Sequence, residues 1–170
     1  MRKIHIISRA TLFMVATTLA IMLHSCGTDG SSSVVYYDDT AITSFTLGTL
    51  KQLVNTTDDD GNLTTTYQNL DCSSYKFYID QATRQIYNVD SLPVGVDPTR
   101  IVCTVAAKNG GYMQLRNAES GEYETFSASD SIDFTSPRRF RVTAQSGAAY
   151  LEYDIRVNVH KEKADSFVWR

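Results

Sequence analysis

The sequence predicts an all-β domain, a sandwich or barrel of about seven short antiparallel strands, placed behind an export signal. Three observations carry this. Beyond position 41, apolar residues alternate with polar ones at period two, the mark of strands with one buried and one wet face. Gly, Pro, Asn and Asp punctuate these stretches at spacings of roughly 8–12 residues. No segment after position 26 carries an apolar stripe at helical spacing for more than about two turns.

The first residues read as a targeting device. Residues 1–9 hold Arg2, Lys3 and Arg9 with no acid, and residues 12–23 are apolar except for Thr17 and Thr18. A charged start, an apolar run of about a dozen residues and a small residue before the cut make a secretory signal. A bilayer span needs about 20 apolar residues, so the run is short for an anchor. Leu23-His24-Ser25-Cys26 resembles the lipobox of bacterial lipoproteins, with an aliphatic residue three before the cysteine and a small one directly before it. His24 departs from the small or aliphatic residue usual at its place. Residues 1–25 are therefore read as a lipoprotein signal peptide and Cys26 as the lipidated first residue of the mature chain, which reaches the membrane through that lipid. Gly27 stands where an aspartate would signal retention, so the expected address is the outer membrane, on its periplasmic or its outer face.

Charge narrows the partners. The chain has 16 basic and 19 acidic residues; removing Arg2, Lys3 and Arg9 leaves 13 against 19, a net charge of −6. With no basic cluster to neutralise phosphates, nucleic acid is excluded as a partner.

Along the mature chain, residues 26–40 read as a flexible tether, rich in Gly, Ser and Thr at its start. Residues 41–161 read as the folded domain. Thr43, Phe45 and Leu47 punctuate a first strand over 41–50. Residues 55–62 read as a polar loop and 63–67 as a Thr-rich strand. Tyr75, Phe77 and Ile79 alternate with Lys76, Tyr78 and Asp80, and this strand pairs with 85–88 across a short turn. Pro93-Val94-Gly95-Val96-Asp97-Pro98 is a turn that no helix crosses. An apolar strand over 101–107 leads through Asn109-Gly110-Gly111, read as a tight hairpin, to 112–116. A turn at 117–122 and a strand over 123–127 come next. Phe140, Val142 and Ala144 alternate with Arg139, Arg141 and Thr143. After a turn at 145–147, Tyr153, Ile155, Val157 and Val159 alternate with Asp154, Arg156, Asn158 and His160, which predicts a central final strand over 150–160 with Val157 at its middle.

Several of these segments carry a resemblance. Ala41-Ile42-Thr43-Ser44-Phe45-Thr46-Leu47, Leu92-Pro93-Val94-Gly95-Val96-Asp97, Ser131-Ile132-Asp133-Phe134 with Pro137, Phe140-Arg141-Val142-Thr143-Ala144 and Tyr153-Asp154-Ile155-Arg156-Val157-Asn158-Val159 look like the immunoglobulin-like modules of Bacteroidetes lipoproteins. More narrowly, the chain resembles the N-terminal domain of an uncharacterised lipoprotein family of that phylum, in which a propeller-like domain comes second. The resemblance implies an immunoglobulin-like antiparallel β-sandwich. It carries no functional motif. Residues 162–170 read as a linker or the start of a missing domain, so a C-terminal domain or a protein is an expected partner.

No catalytic constellation emerges. His5 and His24 leave with the signal, so a Ser-His-Asp or Cys-His site would depend on His160, which falls on the polar side of its strand. Cys72, Cys103 and His160 lack zinc-ligand spacing, and no cofactor or metal is expected. Asp58-Asp59-Asp60-Gly61-Asn62 resembles a calcium loop only weakly: counted from Asp58, Leu63 and Asn69 stand where an EF-hand needs Gly and Glu. The three carboxylates are kept as a weak calcium candidate against an ordinary solvated turn. Cys103 lies on the apolar side of its strand, where a thiol packs as a small hydrophobe, so Cys72 and Cys103 are expected free. Tyr78 and Tyr87 are the candidates for stacking a sugar, against the simpler reading that tyrosine suits strands. The resemblance further implies O-glycosylation at Asp followed by Ser or Thr and a small or aliphatic residue, which fits Thr40, Ser91 and Ser131.

The function expected from all this is a non-enzymatic, membrane-anchored module that spaces or docks a partner. Two rivals stand beside it, a glycan- or protein-binding domain of a nutrient-uptake system and an accessory domain of an envelope hydrolase. The sugar-binding rival requires aromatics gathered on one exposed face.

Overall fold

The period-two alternation resolves into eleven strands in a three-stranded sheet, a six-stranded sheet and a two-stranded hairpin. The structure, a computed structural model, describes residues 34–161. The signal peptide, Cys26 and the expected linker at 162–170 lie outside these residues. The chain divides after Val35, and all eleven strands belong to the unit that begins at Tyr36.

In chain order the strands are β1 (Ile42–Leu47), β2 (Thr49–Thr57), β3 (Leu63–Asp71), β4 (Phe77–Asp80), β5 (Gln85–Asn88) and β6 (Ile101–Ala107). They continue with β7 (Tyr112–Arg116), β8 (Tyr123–Thr125), β9 (Ser131–Ile132), β10 (Arg138–Thr143) and β11 (Tyr150–Arg156). The small sheet runs β1-β6-β9 and the large one β4-β5-β11-β10-β7-β8. Every pair is antiparallel except β5 with β11, which is parallel. The all-β sandwich class therefore holds, with more strands than the seven expected and one parallel pair.

The two sheets bury one core. Ile42, Phe45 and Leu47 of β1 and Ile101 and Cys103 of β6 cluster with Ile86 of β5, Phe140 and Val142 of β10, and Tyr153 and Ile155 of β11. Phe45 packs on Phe77 with ring centroids 4.6 Å apart, and Phe126 meets Phe140 edge-on at 5.3 Å. Each fully buried side chain of this size contributes roughly 1.5–3 kcal/mol. Tyr153 keeps its hydroxyl satisfied by donating to Gln81 Oε1 at 2.6 Å.

The final strand keeps its predicted faces but not its length. Tyr153 and Ile155 are buried, and Arg156 is exposed. The strand ends at Arg156, so Val157 lies beyond it, although still buried. What replaces the ladder there is Asn88, the one buried polar residue among those described. Its Oδ1 accepts the Asn158 amide at 2.6 Å, and its Nδ2 donates to the carbonyls of Asn158 and Asp90, each at 2.8 Å. His160 is exposed, as its place on the polar side predicts.

Four expectations need correction. The strand over 41–50 is broken at Gly48 into β1 and β2. The polar loop is only 58–62: Asn55, Thr56 and Thr57 continue β2 and pair with Thr65, Thr64 and Leu63. This outer half of the hairpin is exposed on both faces, so it shows no apolar period, while its threonines fit a pleated strand and bond across it, as Thr56 and Thr64 do at 3.0 Å. Asn109-Gly110-Gly111 is not a hairpin. β6 belongs to the small sheet and β7 to the large one, so this segment, with a 3-10 turn at Lys108–Gly110, carries the chain between layers.

The fourth correction concerns the tether. From Tyr37 onward it is attached to the domain. The Tyr37 carbonyl accepts the Ser146 amide, Ser146 Oγ donates to Asp38, and Asp39 pairs with Lys108 at 2.8 Å and accepts from Asn109. Lys108 and Asn109 hold the Asp39 carboxyl below the usual carboxylate range.

At one place the backbone admits only glycine. Gly95 sits at φ +91°, and a Cβ there would fall 2.1 Å from the Leu53 carbonyl oxygen. This close approach lets the Leu53 amide donate to the Gly95 carbonyl at 2.7 Å, which seats the 92–97 turn along β2.

Cys72 and Cys103 are free and buried. Burial pushes the Cys103 thiol up to about 12, and burial together with nearby Asp71 raises Cys72. Neither thiol is then a nucleophile at neutral pH. In a mature chain carrying Cys26→Ala, alkylation at mildly alkaline pH should add no label to the folded domain and two labels in denaturant without reductant. Labelling that needs prior reduction would contradict the free thiols.

Candidate functional site

The outer face of the six-stranded sheet is the most chemically distinctive surface. Alternation places Phe140, Val142, Tyr153 and Ile155 inward, so Arg139, Arg141, Glu152, Asp154 and Arg156 point out of the same two central strands. Arg139 opposes Asp154 and Arg141 opposes Glu152 across the β10–β11 pair. Arg139 grips Asp154 with two bonds of 2.8 and 2.9 Å. Arg141 Nη2 donates to Glu152 Oε1 at 2.7 Å. Each carboxylate raises its arginine further, and Arg141 holds Glu152 below its ordinary range. The Arg139–Asp154 pair is largely exposed and the Arg141–Glu152 pair half-buried; as cross-strand surface pairs each is worth about 1 kcal/mol or less, and they leave the centre of the face charge-balanced.

Tyrosines frame this charged centre. The Arg141 guanidinium lies 3.6 Å from the ring centroid of Tyr123 and 4.3 Å from that of Tyr150, held between the two rings. Partial burial and a hydrogen bond to Glu152 push the Tyr123 hydroxyl above its ordinary range. At the opposite edge Tyr78 of β4 and Tyr87 of β5 are directly paired across the strands. Their ring centroids are 5.6 Å apart at 51°, and both rings are exposed. Tyr112 of β7, cross-strand from Thr143, is exposed on the same face.

Beside Tyr87 the face dips into a cleft of about 440 Å³ lined by Gln85, Tyr87, Pro137, Asp154, Arg156 and Asn158. The parallel β5–β11 pair builds it. Asp154 stands opposite Gln85 and Arg156 opposite Tyr87, so two outward residues from each strand meet at one place. Tyr78 and Tyr87 are legible in the sequence as candidates. Sequence reasoning misses Gln85, Asp154 and Arg156, because nothing in a series of short strands announces which two lie side by side in parallel.

The other predicted residues are not brought together. Thr40 and Ser91 are half-buried, and Ser131 is exposed but paired within β9 to Val102. In the candidate calcium loop, Asp58, Asp59 and Asp60 lie at the exposed tip of the β2–β3 hairpin. Asp58 Oδ1 accepts the amides of Asp60 and Asn62 at 3.1 and 2.7 Å, which closes the β2–β3 turn. Among the described residues no three His, Cys, Asp or Glu side chains converge to hold a metal ion. His160 has its amide bonded to the Leu92 carbonyl and its side chain exposed. Among the described residues no helix is long and apolar enough to cross a membrane.

An all-β sandwich presenting a charge-balanced, tyrosine-framed sheet face is the class of protein that fold and surface define. The chain belongs to the family of the N-terminal domain of DUF6242, a domain of unknown function, whose model matches residues 45–157. It is also similar to the crystal structure of a candidate secreted protein from Bacteroides fragilis, at 14% identity and a TM-score of 0.45, over 75% of this chain and 100% of that one. At that level the likeness decides nothing about function. No curated protein matches the chain in sequence.

Proposed function

We propose that the protein is a lipid-anchored, non-enzymatic module of the bacterial cell envelope, held at the outer membrane by Cys26, whose immunoglobulin-like sandwich spaces or docks a partner domain. The observation that carries this reading is the attachment of the incoming chain. Asp38 and Asp39 tie it to the turn after β10 and to the turn after β6, so these residues are held as part of the folded domain. Individual surface bonds of this kind contribute little, yet bonds to two separate turns together seat residues 38 and 39 on the domain. The family match supports the same reading, since the matched model is by description an N-terminal domain, the place expected of a module set between an anchor and a partner domain.

The test addresses the anchor. Growth with a clickable fatty-acid analogue should label the wild-type protein in the outer-membrane fraction and leave Cys26→Ala unlabelled and released from it. Equal labelling of the two, or membrane retention of the variant, would overturn the proposal.

A further inference from the structure

The geometry points to a saccharide-binding site in the cleft beside Tyr87, with Tyr87 as the aromatic wall and Gln85, Asp154, Arg156 and Asn158 as the groups that read hydroxyls. The volume of about 440 Å³ falls within the roughly 300–1,000 Å³ typical of small-ligand sites. The lining combines what a sugar needs. An aromatic ring offers a flat apolar surface to ring C–H groups. Planar amide, carboxylate and guanidinium groups offer paired donors and acceptors to adjacent hydroxyls. Tyr78 packs against Tyr87 and limits the freedom of its ring, which lowers the entropy lost on binding. Asp154 is likewise held in place by its two bonds to Arg139. Arg156 and Gln85 make no side-chain hydrogen bond among the described residues, and so remain available to a ligand.

The same lining argues against other occupants. A phosphorylated or acidic ligand would meet the Asp154 carboxylate, with Arg156 the only cation lining the cleft among the described residues. A purely apolar ligand would strand the polar side chains without partners. An extended peptide would need a free sheet edge, whereas the cleft lies over the β5–β11 pair, whose register is closed by its own ladder. A neutral, polyhydroxylated ligand satisfies all three conditions. The cleft lies on the sheet face, and its occupancy does not depend on the anchor.

Titration calorimetry of the full chain with neutral hexasaccharides of glucose, mannose and xylose, each at millimolar concentration, tests it. At least one should bind, and Tyr87→Ala and Arg156→Ala should each weaken that binding by about tenfold or more. Tyr112→Ala, on the same face but outside the cleft, should leave it unchanged. All three side chains are exposed, and an unchanged circular dichroism spectrum verifies that each variant folds. No binding to any of the three sugars overturns the proposal. So does binding that survives both cleft variants, equal loss with Tyr112→Ala, or binding confined to acidic oligosaccharides.

Discussion

Val157→Asp should destabilise the domain by several kcal/mol, on the order of 3–5, because it places an unpaired carboxylate at a position only 6% exposed within the core cluster. Burial of an ionised group without a partner is so costly that the side chain would take up a proton or the segment would leave its seat. Either way the loss is a large share of the roughly 5–15 kcal/mol by which a domain of this size is stable. The neighbouring control is His160→Ala, three residues on and facing solvent, which should stay within about half a kcal/mol of wild type. Urea denaturation of both variants, followed by far-ultraviolet circular dichroism, measures the difference. Tolerance of Val157→Asp with unfolding by His160→Ala would mean that the faces of this segment are reversed. His160 would then be a buried group able to take part in a site.

Legibility of the fold tracks how much of each strand is half-buried. β4, β5, β6, β10 and β11 each have one wet and one dry face, and their alternation locates them closely. β2 and β3 have little dry face along their outer halves, and so part of that hairpin reads as a loop. Pairing is less legible than existence. The strand pair across 81–84 is plain in the sequence because its ends are near one another. Asn109-Gly110-Gly111 misleads because turn chemistry is the same whether a chain reverses within a sheet or crosses between two. The candidate cleft shows the limit most clearly. Tyr87 and Arg156 are 69 positions apart by number and meet only because β5 and β11 are parallel neighbours. Local pattern holds no record of that contact. The arginine and carboxylate pairs of β10 and β11, by contrast, sit on a hairpin, and their opposition is fixed once its turn is placed.

Asn88→Ala should be nearly as costly as the core charge, about 3 kcal/mol, though in sequence the residue is only the last of a four-residue strand. The reason lies in where β11 stops. Beyond Arg156 the chain still lies against the core, since Val157 is buried, but it has left the β5–β11 ladder. Asn88 supplies what the ladder no longer does, with three short bonds from one side chain to the amide of Asn158 and the carbonyls of Asn158 and Asp90. Truncation to alanine removes all three at once and opens a small void where the amide group stood. Only the Asn158 amide is left without a partner, at about 1–3 kcal/mol, since the Asn158 carbonyl keeps the Leu92 amide and Asp90 is exposed to water. The loss should extend to Leu92, which is fully buried and held by two further bonds to this segment, Leu92 N–H to the Asn158 carbonyl at 2.9 Å and His160 N–H to the Leu92 carbonyl at 2.8 Å. Asn55→Ala, at an exposed position of β2, is the matched control and should cost within about half a kcal/mol. Amide hydrogen exchange adds a local reading: in Asn88→Ala the amides of Leu92, Asn158 and His160 should exchange faster than those of the β10–β11 hairpin. If Asn88→Ala and Asn55→Ala denature at the same urea concentration, water replaces the side chain at no cost, and the segment after β11 is held by its apolar contacts and its two backbone bonds to Leu92.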